Sequence, residues 1–216
     1  MEKNTNKRKK SLDRYVNDLD GLIEQFPQPL HAHSRRVAIC CSVIAAYAKD
    51  FLHLRDFTKD TDIEEYAFWG GTFHDIGKLL FPSLIMSRAD YIRHPEVGAD
   101  FLEKHKTQLF KNENQAQYVI EVVRYHHIQP DGKGFPGSSK SEYPSVLAWI
   151  CSVTDRLDHM LYSKPDFQID SNNPCVLANI NKQAGTVFFS TAVICVEKAW
   201  PQLMKHYTNW NRRAKQ

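Results

Sequence analysis

The stretch Tyr66-Ala-Phe-Trp-Gly-Gly-Thr-Phe-His-Asp-Ile-Gly-Lys-Leu-Leu-Phe81 limits most tightly what this chain can become. Tyr66, Phe68, Trp69, Phe73 and Ile76 are spread nearly all round a helix, and such a helix belongs in the interior. His74 and Asp75 lie within it. A buried carboxylate without a partner costs several kcal/mol or becomes protonated. A positive group must therefore stand near Asp75, and a divalent metal is the natural candidate. A neutral imidazole beside an ionised carboxylate supplies two ready ligands. Lys78, three residues beyond Asp75, shares its face if the helix persists through Gly77, where its ammonium could sit over an anion held by the metal.

The rest of the chain reads as helix after helix. Ser11 can cap a helix through Phe26, which Pro27 and Pro29 end. Val37, Ala38, Cys41, Ile44, Ala45 and Ala48 recur at helical spacing between Leu30 and Phe51. Thr61 and Glu64 form a capping box for the helix from Asp62 to Ile76, with Gly77 as terminator. Ser87–His94 and Pro95–Lys106 read as two helices broken at the proline. Glu113–His127, Pro144–Leu161, Pro174–Gln183 and Thr191–Trp200 complete the series. No alternating strand pattern appears, so the expected fold is all-α. A disordered basic arm (1–10), one domain (11–205) and a tail (206–216) are the expected organisation.

Composition narrows the function. The net charge of +3 comes largely from the two ends, so no nucleic-acid polymer is expected as partner. Cys40, Cys41, Cys151, Cys175 and Cys195 include no Cys-x-x-Cys and lie mostly among apolar residues, which reads as reduced thiols. The start of the chain lacks a secretory signal, and the apolar run Val37–Ala48 is too short to span a bilayer. No membrane partner and a cytoplasmic location are expected.

Unusual polar residues recur across the helices: His33, His74, Asp75, His94, His126, His127 and Asp155. Five imidazoles and two carboxylates exceed one tetrahedral zinc and suit two octahedral metals sharing a carboxylate and a water. His31 and His33 project about 200° apart, so only one can face such a site. His126 and His127 can both engage only at a frayed helix end or in a wide site. The stretch Pro130-Asp-Gly-Lys-Gly-Phe-Pro-Gly-Ser-Ser-Lys is the strongest loop signal and reads as a functional loop. His31, His53, His105, His159 and His206 read as solvated or structural.

In order and spacing, His33-Ser-Arg-Arg36, His74-Asp75-Ile-Gly-Lys78, His94-Pro95-Glu-Val-Gly98, His126-His127, Asp131-Gly-Lys-Gly-Phe135-Pro136 and Asp155-Arg-Leu-Asp158 resemble the HD-GYP family, a branch of the HD-domain metal phosphohydrolases. The likeness covers about residues 30 to 200, including Ala184-Gly-Thr-Val-Phe188. It implies a helical bundle around a di-metal centre and hydrolysis of cyclic di-GMP, or a related cyclic dinucleotide, to the linear dinucleotide or GMP. It implies that His33, His74, Asp75 and Asp155 hold one metal and that His94, His126 and His127 hold the other. Asp75 would bridge them, and Lys78 would contact the scissile phosphate. Arg36, Phe135 and Lys164 would be further substrate contacts. Iron or manganese suits such a donor set, with zinc, nickel or magnesium as alternatives. The metal-activated bridging water would be the nucleophile.

The chain also departs from that family. Pro29 stands where a glutamate associated with a third metal is common, so two metals are expected. Ile128 replaces the glutamate after the double histidine, Phe135 the tyrosine of Gly-Tyr-Pro, and Phe189 the aspartate of Phe-Asp-Pro. Lys164 replaces an arginine and loses its bidentate fork. The ligand set is complete while the substrate contacts differ. Two other functions therefore stand beside the phosphodiesterase: a weakly active relative that signals through a protein partner at the loop 131–137, and a hydrolase of another nucleotide.

Overall fold

The computed structural model describes residues 12, 19–51, 62–83, 85–136, 144–162 and 174–214. The expected basic arm, Ser11, His53, Thr61, Gly137 and Lys164 lie outside them. The described helices are α1 (Leu19–Ile23), α2 (Gln28–Phe51), α3 (Ile63–Phe73), α4 (Arg88–Leu109), α5 (Glu113–Tyr125), α6 (Val146–Tyr162), α7 (Pro174–Lys182) and α8 (Ser190–Ala214), with a 3-10 helix at Ile76–Leu80. Among the described residues the only β feature is an isolated bridge between Ala184 and Phe188. The all-α expectation holds.

Side-chain caps start the helices where the sequence offers short polar residues. Asp62 accepts from the Glu65 amide at 3.0 Å and caps α3. Ser87 accepts from the Asp90 amide at 3.1 Å and Asn112 from the Gln115 amide at 2.9 Å, opening α4 and α5. Pro29 falls in the first turn of α2, where its missing N–H has no helical partner to lose.

Two apolar clusters fill the bundle. One joins α2, α3, α6, α7 and α8 through Val37, Ile44, Tyr66, Ile150, Leu157, Val176, Val196 and Leu203. The other joins α1, the end of α3, the 3-10 helix, α4 and α5 through Leu22, Phe73, Ile76, Phe101, Leu102 and Val119. α3 contributes to both, Tyr66 and Ala67 to the first and Phe73 to the second. Phe68 and Trp69 are half-buried, so α3 is less enclosed than its composition implies. Cys40, Cys41, Cys151 and Cys195 are buried and Cys175 is exposed, and none of the five is in a disulfide. No described helix is long and apolar enough to cross a membrane.

Three features differ most from the sequence expectation. α3 stops at Phe73, and His74 and Asp75 lie in a turn before the 3-10 helix. α4 runs unbroken through Pro95. Proline supplies no N–H to the carbonyl four residues back, which is Tyr91. That carbonyl instead accepts from Nδ1 of His94 at 2.6 Å, so the neighbouring imidazole replaces the lost donor. α8 continues past Trp200 and Pro201 to Ala214 and buries Tyr207 completely, inside the segment expected to be tail.

Gly77 does not terminate α3; it lets the 3-10 helix touch α4. A Cβ there would fall 1.9 Å from the His94 carbonyl oxygen. Gly77→Ala is expected to push these elements apart and to lower stability by about 1–3 kcal/mol, as overpacking does. Urea unfolding of the metal-free protein measures it; an unchanged midpoint would refute the close-approach reading.

Candidate metal centre

Five segments bring their polar residues to one place: α2 carries His33, the turn after α3 carries His74 and Asp75, α4 carries His94, the turn after α5 carries His126 and His127, and α6 carries Asp155. His74, His94 and His126 are fully buried, and Asp75 is 1% exposed. His33 Nε2 lies 3.1 Å from Asp155 Oδ1, 3.3 Å from His74 Nε2 and 3.9 Å from Asp75 Oδ2. His74 Nε2 is 3.4 Å from Asp75 Oδ2 and 3.7 Å from Asp155 Oδ1. On the other side, His94 Nε2 is 3.1 Å from Asp75 Oδ1 and 3.3 Å from His126 Nε2. His127 joins them, with one donor atom from each of the three histidines within 4.8 Å of the others. The two oxygens of Asp75 thus face two different groups of imidazoles.

The other ring nitrogen fixes the tautomer of His33, His74, His94 and His126. Nδ1 of His74 faces the Gly71 carbonyl at 2.8 Å, and Nδ1 of His126 faces the Val123 carbonyl at 2.9 Å. His94 does the same with Tyr91. A carbonyl only accepts, so Nδ1 carries the proton and the Nε2 side is turned to the cluster. His33 is held differently. Its Nδ1 donates to Asp158 Oδ2 at 2.7 Å, and Asp158 receives Arg36 through Nε and a terminal nitrogen, both at 2.8 Å. The Tyr207 hydroxyl donates to the same carboxylate at 2.9 Å.

Arg36, expected to contact substrate, is instead buried behind His33, bidentate on Asp158 and 3.5 Å from the Tyr162 ring centroid. Its guanidinium is the counter-charge for a buried carboxylate, which is why it is turned away from the cluster. Lys78 does reach the centre: Nζ donates to Asp75 Oδ2 at 2.5 Å, from the 3-10 helix rather than from a continuing α3. Phe135 lies against His127, ring centroids 4.6 Å apart. The loop is pinned there because the Phe135 amide donates to the His127 carbonyl at 3.2 Å. Gly134 permits this, since a Cβ on it would come 2.2 Å from that carbonyl.

Sequence reading gives no role to four neighbours of the cluster. Tyr91 packs against His94, His127 and Phe135 at 5.3, 5.6 and 5.6 Å, with Lys78 Nζ 5.7 Å from its ring centroid. Its position three residues before His94 on one helix is a usable signal. Asp158 and His159, three and four residues after Asp155, carry the same signal. Tyr207 has none, being 49 residues from the carboxylate it serves. His159, expected to be solvated or structural, stands with Nε2 3.4 Å from Asp155 Oδ1. His31 points elsewhere, toward Glu24 at 4.0 Å. His105 contacts Phe101 and Gln108, and His206 packs on Trp210.

The electrostatics divide the cluster in two. Burial works against a charged Asp75, yet the positive charges of His74 and Lys78 hold its pKa well below the usual carboxylate range. Burial likewise opposes ionisation of Asp155, and the neighbouring His33 and His74 imidazoles overcome it. His74 is desolvated by burial, but Asp75 and Asp155 outweigh this and push it up to about 10. On the other side burial, with neighbouring imidazoles, drives His126 well below its ordinary value, and burial takes His127 to about 4.

A divalent metal fits these residues. Asp75 Oδ1, Asp155 Oδ1 and His127 Nε2 are buried polar atoms without a hydrogen-bond partner, and all three belong to residues of the cluster. Imidazole nitrogens and carboxylate oxygens are donors for first-row divalent ions.

Three outcomes are expected. Asp158→Asn leaves the buried Arg36 without its counter-charge and should destabilise by about 3–5 kcal/mol. Tyr207→Phe removes one donor to a charged acceptor and should cost about 1.5–3 kcal/mol. Urea unfolding of both variants checks the order. The third concerns pH. With His74 raised, its stabilising effect in metal-free protein is complete below pH 6.5 and disappears toward about 10. The metal-free melting temperature should fall over that window, while metal affinity rises as the competing proton leaves. A metal titration at several pH values tests the sign.

The HD domain family model matches residues 30–160, which spans every proposed ligand from His33 to Asp155. A cyclic di-GMP phosphodiesterase of Pseudomonas aeruginosa is 27% identical over 159 residues, 72% of this chain and 36% of that protein. The chain thus spans about a third of that relative's own length. With the family model covering more than half of the sequence and its histidines and aspartates converging in space, this chain belongs to the HD domain family.

Proposed function

We propose that the chain is a metal-dependent phosphodiesterase acting on a cyclic dinucleotide, cyclic di-GMP first among them. Membership of the HD family supports the coarser reading, a metal-dependent phosphohydrolase. The finer reading leans on the likeness to the Pseudomonas phosphodiesterase. The observation that carries both is the placement of Asp75, one carboxylate with each oxygen turned to a separate imidazole group and with Lys78 beside it.

In this reading His33, His74, Asp75 and Asp155 would hold one ion, and His94, His126 and His127, with Asp75 shared, would hold the second. Bound there, two divalent ions would supply an activated water and neutralise charge on the attacking and leaving oxygens. The chain does the positioning. The Nδ1 bonds keep the imidazoles aimed inward. Lys78 is desolvated by burial, but Asp75 raises its pKa, so it stays charged and would meet the developing negative charge on phosphorus. Tyr91 and Phe135 present aromatic faces beside the second group of histidines, where a base of the dinucleotide would stack.

The test is turnover of cyclic di-GMP and the mixed cyclic GMP–AMP dinucleotide by iron- or manganese-loaded protein under anaerobic conditions. Asp75→Ala should abolish it. Lys78→Ala should lower kcat by about 10²–10³ with metal content retained. A protein that holds its metals yet leaves every cyclic dinucleotide intact, while hydrolysing a mononucleotide, would move the reading to another HD hydrolase.

A further inference from the structure

We propose that His159 is an additional metal ligand, closing the solvent side of the ion held by His33, His74, Asp75 and Asp155. The inference rests on the two-metal reading above and extends it to a residue outside the expected ligand set.

His159 lies four residues after Asp155 on α6, so both side chains emerge from one face of the helix. Its Nε2 is 3.4 Å from Asp155 Oδ1, and the Nε2 of His33 is 3.1 Å from that same oxygen. The His33 and His159 rings are stacked, with centroids 4.8 Å apart and planes 30° apart. One donor atom each from His33, Asp155 and His159 falls within 4.8 Å of the others. Asp155 Oδ1, the atom on which both imidazoles converge, is buried and without a hydrogen-bond partner. Separations of 3.1 and 3.4 Å between donors suit adjacent positions around one ion with bonds of about 2.0–2.2 Å.

A separate third ion on this group is excluded by the chemistry of its members. His33 Nδ1 donates to Asp158, so His33 has one lone pair to give, on Nε2. That lone pair is the one facing His74 and Asp75. A metal on His33, Asp155 and His159 is therefore the same metal, seen from its other side. The His159 side chain is 51% exposed, against 11% for His33, which puts the added ligand on the solvent side of the centre.

The experiment compares wild-type protein with His159→Ala and His159→Glu, the second retaining a donor of similar reach. Each is titrated with Co(II) or Mn(II), and the visible spectrum of the Co(II) form is recorded. His159→Ala should keep two ions per chain but bind one of them at least about tenfold more weakly, with a shifted Co(II) spectrum. His159→Glu should recover most of the affinity. Because His159 lies at the surface, matching circular dichroism and melting curves for the three metal-free proteins confirm that folding is not the variable. Equal affinities and superimposable Co(II) spectra for wild type and His159→Ala would overturn this assignment and leave the two-metal reading standing. A wild-type protein that binds no ion would overturn both.

Discussion

Burying the Asp75 carboxylate is the constraint on which the interior depends. An ionised carboxylate removed from water is strongly disfavoured unless opposite charge and hydrogen-bond donors surround it. Here Lys78 stands three residues away, His74 is adjacent, and His33, His94 and His126 come from other segments. Two apolar clusters could each pack without them, but neither could tolerate Asp75 alone. Apart from Lys78, the residues that answer its charge are those with the donor chemistry for a divalent ion, so the demand of folding and the demand of metal binding fall largely on the same atoms. Metal affinity in such a protein is linked to protons and to stability, not added to a finished scaffold.

A second buried carboxylate, Asp158, supports the first arrangement from behind. It takes a donor from His33, two from Arg36 and one from Tyr207. These partners lie on α2 and α8, while Asp158 itself lies on α6. The last helix of the chain is thereby tied to the orientation of the first histidine of the cluster. Arg36 suits this place because its planar fork fills both oxygens of a carboxylate and stacks on the Tyr162 ring, which an ammonium could not do.

Much of this is legible in the sequence because polar residues in apolar helices are conspicuous. His74, Asp75 and Asp155 announce themselves by their surroundings, and the helical period places most elements. Part of what cannot be read is set by contacts distant in sequence. Tyr207 reads as tail because nothing near it reveals Asp158. Arg36 reads as available to a ligand because its counter-charge is 122 residues away. Pro95 reads as a break because the compensating donor is a side chain, which backbone rules omit. His159 reads as one more exposed histidine, although its spacing from Asp155 is visible without any coordinates.

The two halves of the cluster are not equivalent, and the difference lies in what stands behind each imidazole. His74, His94 and His126 all donate Nδ1–H to the carbonyl three residues back, a local device that needs only a helical turn. His33 donates to an ionised carboxylate, which makes its Nε2 the more basic donor. His33 also meets Asp75 and Asp155, while the His126–His127 side meets carboxylate only through one oxygen of Asp75. The first half therefore concentrates negative charge. In the second half burial keeps His126 and His127 neutral. An ion held mainly by neutral nitrogen donors keeps more of its positive charge, whereas one held by two carboxylates is more fully neutralised. Tyr91 and Phe135 both lie against the His94 side.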